Sequence, residues 1–351
     1  MPELAEIHID VALTNLSVAY INEDYVADRV FPVVPVEKRS DKYFLCNKDA
    51  FLRSSGVDKQ GKPGSIRRPG TRSTEILFDV STNPFYCEQL ARNYALTDAE
   101  MRLADAPLQP SIDATLALTE MITLDNEVAV ASKAMKRANY NTSNKAQLVS
   151  GTTSWAQNSQ TAGAYTSFPI STDIPKAKKA VISSLVRSAT HMLLNYNAAV
   201  TLSQNWEYLD KIKYVSREGL TASGLAPVIG GLSVVEARTQ RATTPQNTVP
   251  IQTGFVWSDD QGQDAALIYY MPSAAPSLKM VALGLTFDAP DDSLNARGFL
   301  VKRWREEWID SERIEVRTTR DWRFIATDGS TNGDNSNGYA TAAYLISGCT
   351  L

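Results

Sequence analysis

From Pro110 to Asn139 the apolar residues fall at helical spacing. Ile112, Leu116, Leu118, Met121, Ile122, Leu124, Val128 and Met135 cover several faces, while Asp113, Glu120 and Glu127, seven residues apart, form one acidic stripe. Acid loads the first two thirds, Asp125 included, and Lys133, Lys136 and Arg137 load the end, which is the polarity a helix dipole favours. Pro110 occupies a first-turn position, and the Asn-rich stretch 139–144 ends the pattern. The spacing predicts one helix over 110–139, roughly 45 Å long, with the stripe as its solvated side. Such a helix is a strut.

The pattern before the strut is less regular. Leu13, Leu16, Tyr20 and Ile21 suit a short amphipathic helix, and residues 27–36, broken by two prolines, must run extended. That extended stretch carries Val30, Phe31, Val33, Val34 and Val36, which must lie either under their own chain or on another. Residues 42–52 and 74–80 have strand-forming composition and flank a Gly-, Pro- and Ser-rich segment, which predicts a long hairpin with a large tip. Residues 86–109 bridge to the strut, with a helix start at 97–100 and a break at 105–108.

After the strut, residues 139–172 are polar and read as a crossing loop anchored by Trp155 and Tyr165. Asp173 then caps a compact α/β pattern: helix 174–190, strand 191–196, a helical piece 198–211, and strands at 232–237 and 265–271. Residues 298–326 alternate with period two. Ile314, Val316, Thr318, Arg320, Trp322 and Phe324 share one face, and the reversal at 309–312 makes an antiparallel ribbon dense in both charge signs. That density suggests contacts between chains. A polar insertion, 327–338, precedes a final strand at 339–349.

Composition narrows the function. The 351 residues carry 35 Lys and Arg against 39 Asp and Glu, a net charge of -4, so the chain does not grip nucleic acid through net charge. Three cysteines, Cys46, Cys87 and Cys349, fit a reducing compartment and read as inert. Apolar runs stay too short for a membrane-spanning helix. The two histidines, His8 and His191, stand in unpromising contexts, and HExxH, GxSxG and Walker-type loops are absent from the sequence. Paired acids at 259–260 and 291–292 read as turn chemistry, and the six tryptophans as core or interface residues. No catalytic residue, cofactor or metal is expected.

Charge is nevertheless segregated. Arg53, Lys59, Lys62, Arg67, Arg68 and Arg72 face a single acid, Asp58, so the hairpin tip carries +5 inside an acidic protein. Such a tip suits docking on an acidic surface, above all another subunit, because a lone hairpin is marginal in water.

The order of elements resembles the tailed-phage major capsid proteins with the Hong Kong 97-like fold. So does the wording: ADRVFPVVPV at 27–36 followed by SDKY at 40–43, DAPL at 105–108, KIKY at 211–214, PSLKMVALGLTF at 276–287, KRWREE at 302–307 and YLI at 344–346. The resemblance implies an α+β fold with an N-terminal arm (1–40) and an E-loop hairpin (41–92). It also implies a P-domain with spine helix and ribbon (93–172 and 276–325) and an α/β A-domain (173–275 and 326–351). It implies self-assembly through pentamers and hexamers into an icosahedral virion capsid that encloses double-stranded DNA without specific binding, assembled in the host cytoplasm. Implied partners are a separate scaffolding protein, since only 26 residues precede Ala27, a portal protein at one vertex, and a decoration protein in some members.

In that arrangement the arm residues Val30, Phe31, Val33, Val34 and Val36 lie on a neighbour. The basic tip meets acidic groups of an adjacent P-domain, with Asp113, Glu120, Glu127, Glu306, Glu307 and Asp310 as candidates. Two alternatives stay open: an encapsulin-like shell of the same fold that loads protein cargo, and a soluble carboxylate hydrolase.

Overall fold

The strut forms, but it stops five residues short of Asn139. This computed structural model describes residues 8–9, 13, 24–45, 65–67, 69–73, 81–103, 109–149, 154–156, 168–213, 224–245, 248–273, 281–290, 298–330 and 338–350. The first part of the chain supplies β1 (His8–Ile9), α1 (Ala27–Val30), β2 (Val33–Pro35), β3 (Ser40–Phe44), β4 (Thr82–Tyr86), β5 (Glu88–Thr97), α2 (Asp98–Leu103) and the strut α3 (Pro110–Ala134). The middle supplies β6 (Lys145–Gln147), α4 (Ile174–Leu185), β7 (His191–Asn195), α5 (Tyr196–Gln204), α6 (Trp206–Ile212), β8 (Val228–Ile229) and β9 (Leu232–Ala237). The remainder adds β10 (Gln240–Ala242), β11 (Thr253–Phe255), β12 (Ala265–Tyr269), β13 (Gly284–Asp288), β14 (Leu300–Glu306), β15 (Ser311–Phe324) and β16 (Ala343–Ser347).

Helix α3 spans roughly 37 Å at 1.5 Å per residue. Its buried Thr115 and Thr119 and its half-buried Thr123 cost little, because their hydroxyls each donate to the carbonyl four residues back at 2.8 Å. At its end the chain caps itself. Asn139 Nδ2 donates to the Lys133 carbonyl at 2.9 Å and the Tyr140 hydroxyl to the Ala134 carbonyl at 2.6 Å, so the last carbonyls find partners without another helical turn.

Two six-stranded sheets flank this helix. The first runs β1-β14-β15-β13-β2, with β5 also paired to β15; the second runs β6-β16-β12-β7-β9-β8. The 14-residue β15 organises the first. It pairs with β14 from Ser311 to Arg317, with β13 from Arg320 to Phe324, and with β5 over ten positions from Ser311↔Thr97 to Arg320↔Glu88. The ribbon reversal falls at Glu307–Ile309, closed by Asp310 at φ +46°, a left-handed position that Asp tolerates better than most residues. In the second sheet β12 and β16 are buried throughout, and they pair antiparallel from Ala265↔Ser347 to Tyr269↔Ala343.

Several expectations shift. Residues 174–185 are helical as predicted, but Val186 at φ +63° ends the helix before residue 190. The helical piece near 198–211 is two helices, broken at Asn205, whose side chain caps the second by accepting from the Glu207 amide at 2.9 Å. Lys145–Gln147, expected in a crossing loop, adds a parallel edge strand beside Leu345–Ser347. The hairpin is present at its base, where Ser40–Phe44 pairs with Thr82–Tyr86; residues 46–64 and 74–80 lie outside the described residues. Of the helix expected over 13–21, only Leu13 is described. It is buried with Leu118, Ile122, Val301, Ile314 and Val316.

The apolar arm is the main correction. Val30, Phe31, Val34 and Val36 are buried within their own chain and Val33 is half-buried, rather than laid open for a neighbour. Residues 27–30 form a helical turn, not extended chain, and Val33–Pro35 pairs parallel with Thr286–Asp288. Phe31 packs edge-on against Phe324, with ring centroids 5.5 Å apart. A side chain at Gly284 would come within 2.5 Å of the Phe31 ring, so glycine is the residue that lets this ring lie on β13. Intrachain burial wins because the edge of β13 takes three residues of the arm in parallel pairing, Val33, Val34 and Pro35 opposite Thr286, Phe287 and Asp288.

Candidate functional site

The arm is held by a carboxylate on the strut. Glu127, fully buried, accepts the Val26 amide at 3.0 Å, the Ala27 amide at 2.8 Å and the Trp257 indole N–H at 2.5 Å. The two amides begin the turn α1, so Glu127 caps a helical turn from 100 residues away. Trp257, itself buried, follows β11, so one side chain joins arm, strut and the segment leading into the second sheet. Burial holds the Glu127 carboxyl above the usual glutamate range, and the Asp28 charge adds to this. Glu127 is therefore no part of an outward acidic stripe, the correction its three donors require.

The other acidic candidates divide. Glu120 accepts the Tyr25 hydroxyl at 2.5 Å, and Glu306 pairs with Arg313. Asp113, Glu307 and Asp310 are exposed. Of the basic tip, Arg67 and Arg72 are exposed, and Arg67 donates to the Thr71 carbonyl at 2.6 Å; Arg53, Lys59, Lys62 and Arg68 lie outside the described residues.

The ribbon charges pair largely within the chain, against the expectation of inter-chain pairing. Arg303 meets Glu312 at 2.7 Å, Arg323 meets Asp321 at 2.7 Å, and Arg92 of β5 meets Asp125 of the strut at 2.8 Å. Arg305 holds both Asp98 oxygens, at 2.9 and 2.8 Å, fastening α2 to the ribbon end. The Arg305 hydrogen bonds draw the Asp98 carboxyl below its usual range.

Apolar groups gather at that same end. Trp308, on the reversal, is 95% exposed, its neighbour Ile309 is exposed, and so are Met101 and Leu103 of α2, the helix that Arg305 fastens to this end. Beside them Tyr94, Leu96, Pro110, Ala117, Leu118 and Met121 line a groove of about 450 Å³ between β5 and the strut, with Glu100 and Asp113 at its rim. Sequence reading placed all six tryptophans in core or interface without separating the two. Trp155 and Trp257 are buried, and Trp308 is the outward one.

Asp259 makes the expected turn, accepting from the Gln261 and Gln263 amides at 3.0 and 2.7 Å, whereas Asp291 and Asp292 lie outside the described residues. His191 stacks on Tyr269, and burial lowers its pKa. Burial pushes the Cys87 thiol up to about 12, so it stays protonated. A polar cavity of about 220 Å³ lies among Asn141, Asn144, Ser184, Asp328 and Thr341. Among the described residues, no three His, Cys, Asp or Glu side chains are placed to hold a metal ion, and no helix is long and apolar enough to cross a membrane.

A solved phage-related protein from Bordetella bronchiseptica RB50 superimposes with a TM-score of 0.68 at 19% identity, covering 97% of each chain. The capsid of cyanophage P-SCSP1u gives 0.54 at 10% identity, over 95% of this chain and 90% of that one. The mature capsid of bacteriophage PhiM1 gives 0.53 at 10%, over 94% and 88%. The fold is the Hong Kong 97-like capsid fold. By sequence, the chain is 26% identical to the major capsid protein of Burkholderia phage BcepMu over 218 residues, 62% of this chain. It is 27% identical to the major capsid protein of Pseudomonas phage JBD67 over 181 residues, 51% of this chain. These matches span 64% and 52% of the two relatives. No family model matches.

Within this fold the buried carboxylate of Glu127 on the strut organises residues 26–27.

Proposed function

We propose that this chain is the major capsid protein of a tailed phage, assembling through pentamers and hexamers into an icosahedral shell around double-stranded DNA. Kinship to two phage major capsid proteins carries this reading, because it reaches beyond fold to sequence. In it residues 1–40 are the arm, 41–92 the E-loop, 93–172 and 276–325 the P-domain with α3 as its spine helix, and 173–275 and 326–351 the A-domain. The role is structural. The E-loop cations, Arg53, Lys59, Lys62, Arg67, Arg68 and Arg72, reach a neighbouring copy, where Asp113, Glu307 and Asp310 are the exposed acids that can receive them.

Each copy then makes several contacts at once, so individually weak pairs sum to a stable shell. A net charge of -4 leaves packaged DNA enclosed without being gripped. Scaffolding protein, portal and a decoration protein complete the assembly in the host cytoplasm, and the mature chain resides in the virion capsid.

The test is electron microscopy and sedimentation of the chain expressed alone and with the scaffold candidate of its genome. Closed shells, rings or tubes are the expected result. A discrete monomer or dimer under both conditions overturns the reading, and shells that carry a co-expressed protein cargo in place of DNA turn it toward an encapsulin-like role.

A further inference from the structure

The end of the ribbon presents a knob and, beside it, a hole. Trp308 stands on the reversal with its indole in solvent, although a tryptophan is the residue that gains most from cover. The groove between β5 and the spine begins a few positions along the same ribbon, where Leu96 and Tyr94 face Glu312 and Ile314 in register. Its own Trp308 does not enter it, since that side chain is exposed.

The groove has the chemistry to hold an indole. Tyr94 and Leu118 offer apolar walls, and the half-exposed Met121 supplies a flexible thioether that packs well against aromatic rings. At the rim the Glu100 carboxylate is engaged by the Tyr94 hydroxyl at 3.1 Å and the Thr97 amide at 3.0 Å, while the exposed Asp113 can accept an indole N–H. About 450 Å³ accommodates one indole with room for its flanking Ile309. The basic hairpin tip is a poorer occupant of an apolar groove, because its charged groups would lose water there without a wall of partners.

We propose that Trp308 of one copy inserts into the Tyr94–Met121 groove of a second copy, making the ribbon end an anchored contact between subunits. This rests on the shell reading, within which each copy supplies one knob and one hole and the contact closes on itself.

The experiment uses the full chain in a Cys46→Ser background, Cys87 and Cys349 being buried. Chains carrying Ile309→Cys and chains carrying Ala117→Cys, which keep both Trp308 and Met121, are co-assembled and treated with a short bis-maleimide. The expected product is a mixed dimer at least ten-fold more abundant than either homodimer. Trp308→Ala is expected to lower shell yield at least ten-fold, with Trp308→Phe restoring most of it and circular dichroism unchanged in both. Variant shells that form without mixed cross-links, or Ala117→Cys linking instead to Lys59→Cys, overturn this inference alone. A wild-type chain that never assembles overturns the shell reading, and this inference falls with it.

Discussion

The two ends of the first sheet handle side chains in opposite ways. Where the arm meets the spine, a charged residue, Glu127, is wholly buried, and the apolar Phe31 sits beside β13 under full cover. At the ribbon reversal, the largest apolar side chain of the region, Trp308, stands in solvent. Polarity alone predicts the reverse on both counts. What separates them is supply of partners: Glu127 has three N–H donors aimed at it, while the Trp308 side chain is left 95% exposed.

The comparison can be broken most directly at the buried end. Phe31→Ala removes a ring wedged against Phe324 and should cost about 3–5 kcal/mol in denaturant unfolding. A loss under about 1 kcal/mol would show that the arm is not part of the folded core. Glu127→Ala leaves two amides and an indole N–H without acceptors and should cost roughly 2–4 kcal/mol. Protection of the Val26 and Ala27 amides in hydrogen exchange should fall with it, and unchanged protection would sink the capping role.

Gly284→Ala places a methyl against the Phe31 ring and the Arg323 carbonyl, with an expected cost of about 1–3 kcal/mol. Combined with Phe31→Ala the cost should shrink, because the clash partner is gone; strict additivity would argue against the contact.

Titration sharpens the same contrast. Glu127 has a native pKa raised by burial above its unfolded value, so the native state holds the proton more readily. Its contribution is fully present below the ordinary glutamate pKa, and it is lost as pH rises through the raised native value. Wild-type stability relative to Glu127→Gln should therefore decline from about pH 4 upward. A difference that stays flat with pH removes Glu127 as the titrating group. At the exposed end the expected effect on folding is smallest. Trp308→Ala should change monomer stability by no more than about 0.5 kcal/mol, and a larger loss would place the indole in an intrachain contact.

Much of this was legible beforehand. The strut, the ribbon with its reversal, the strands near 191–196, 232–237 and 265–271 and the helix at 174 all carry strong periodicity, which local geometry imposes directly. Strand β5 was missed because nine of its ten residues are not fully buried and several are polar, so its alternation is weak. Its identity comes from pairing with β15, a partner more than 200 residues away.

The candidate contact surfaces were less legible. Seven-residue spacing put Asp113, Glu120 and Glu127 on one stripe, yet Asp113 is exposed, Glu120 meets Tyr25 and Glu127 is buried. A stripe specifies a helix face, and the fold chooses what packs over each part of it.

By itself, then, the order of residues determined the strut, the ribbon with its reversal, the helix at 174 and the strands near 191–196, 232–237 and 265–271, along with the segregation of basic charge into one segment, because these follow from neighbours a few positions apart. Only the tertiary structure decided that the proline-broken arm lies under its own chain, that a glutamate caps it, and that one tryptophan of six faces outward. Those outcomes depend on which surfaces meet across 100 residues or more, where burial and hydrogen-bond partners are supplied by the fold and not by local spacing.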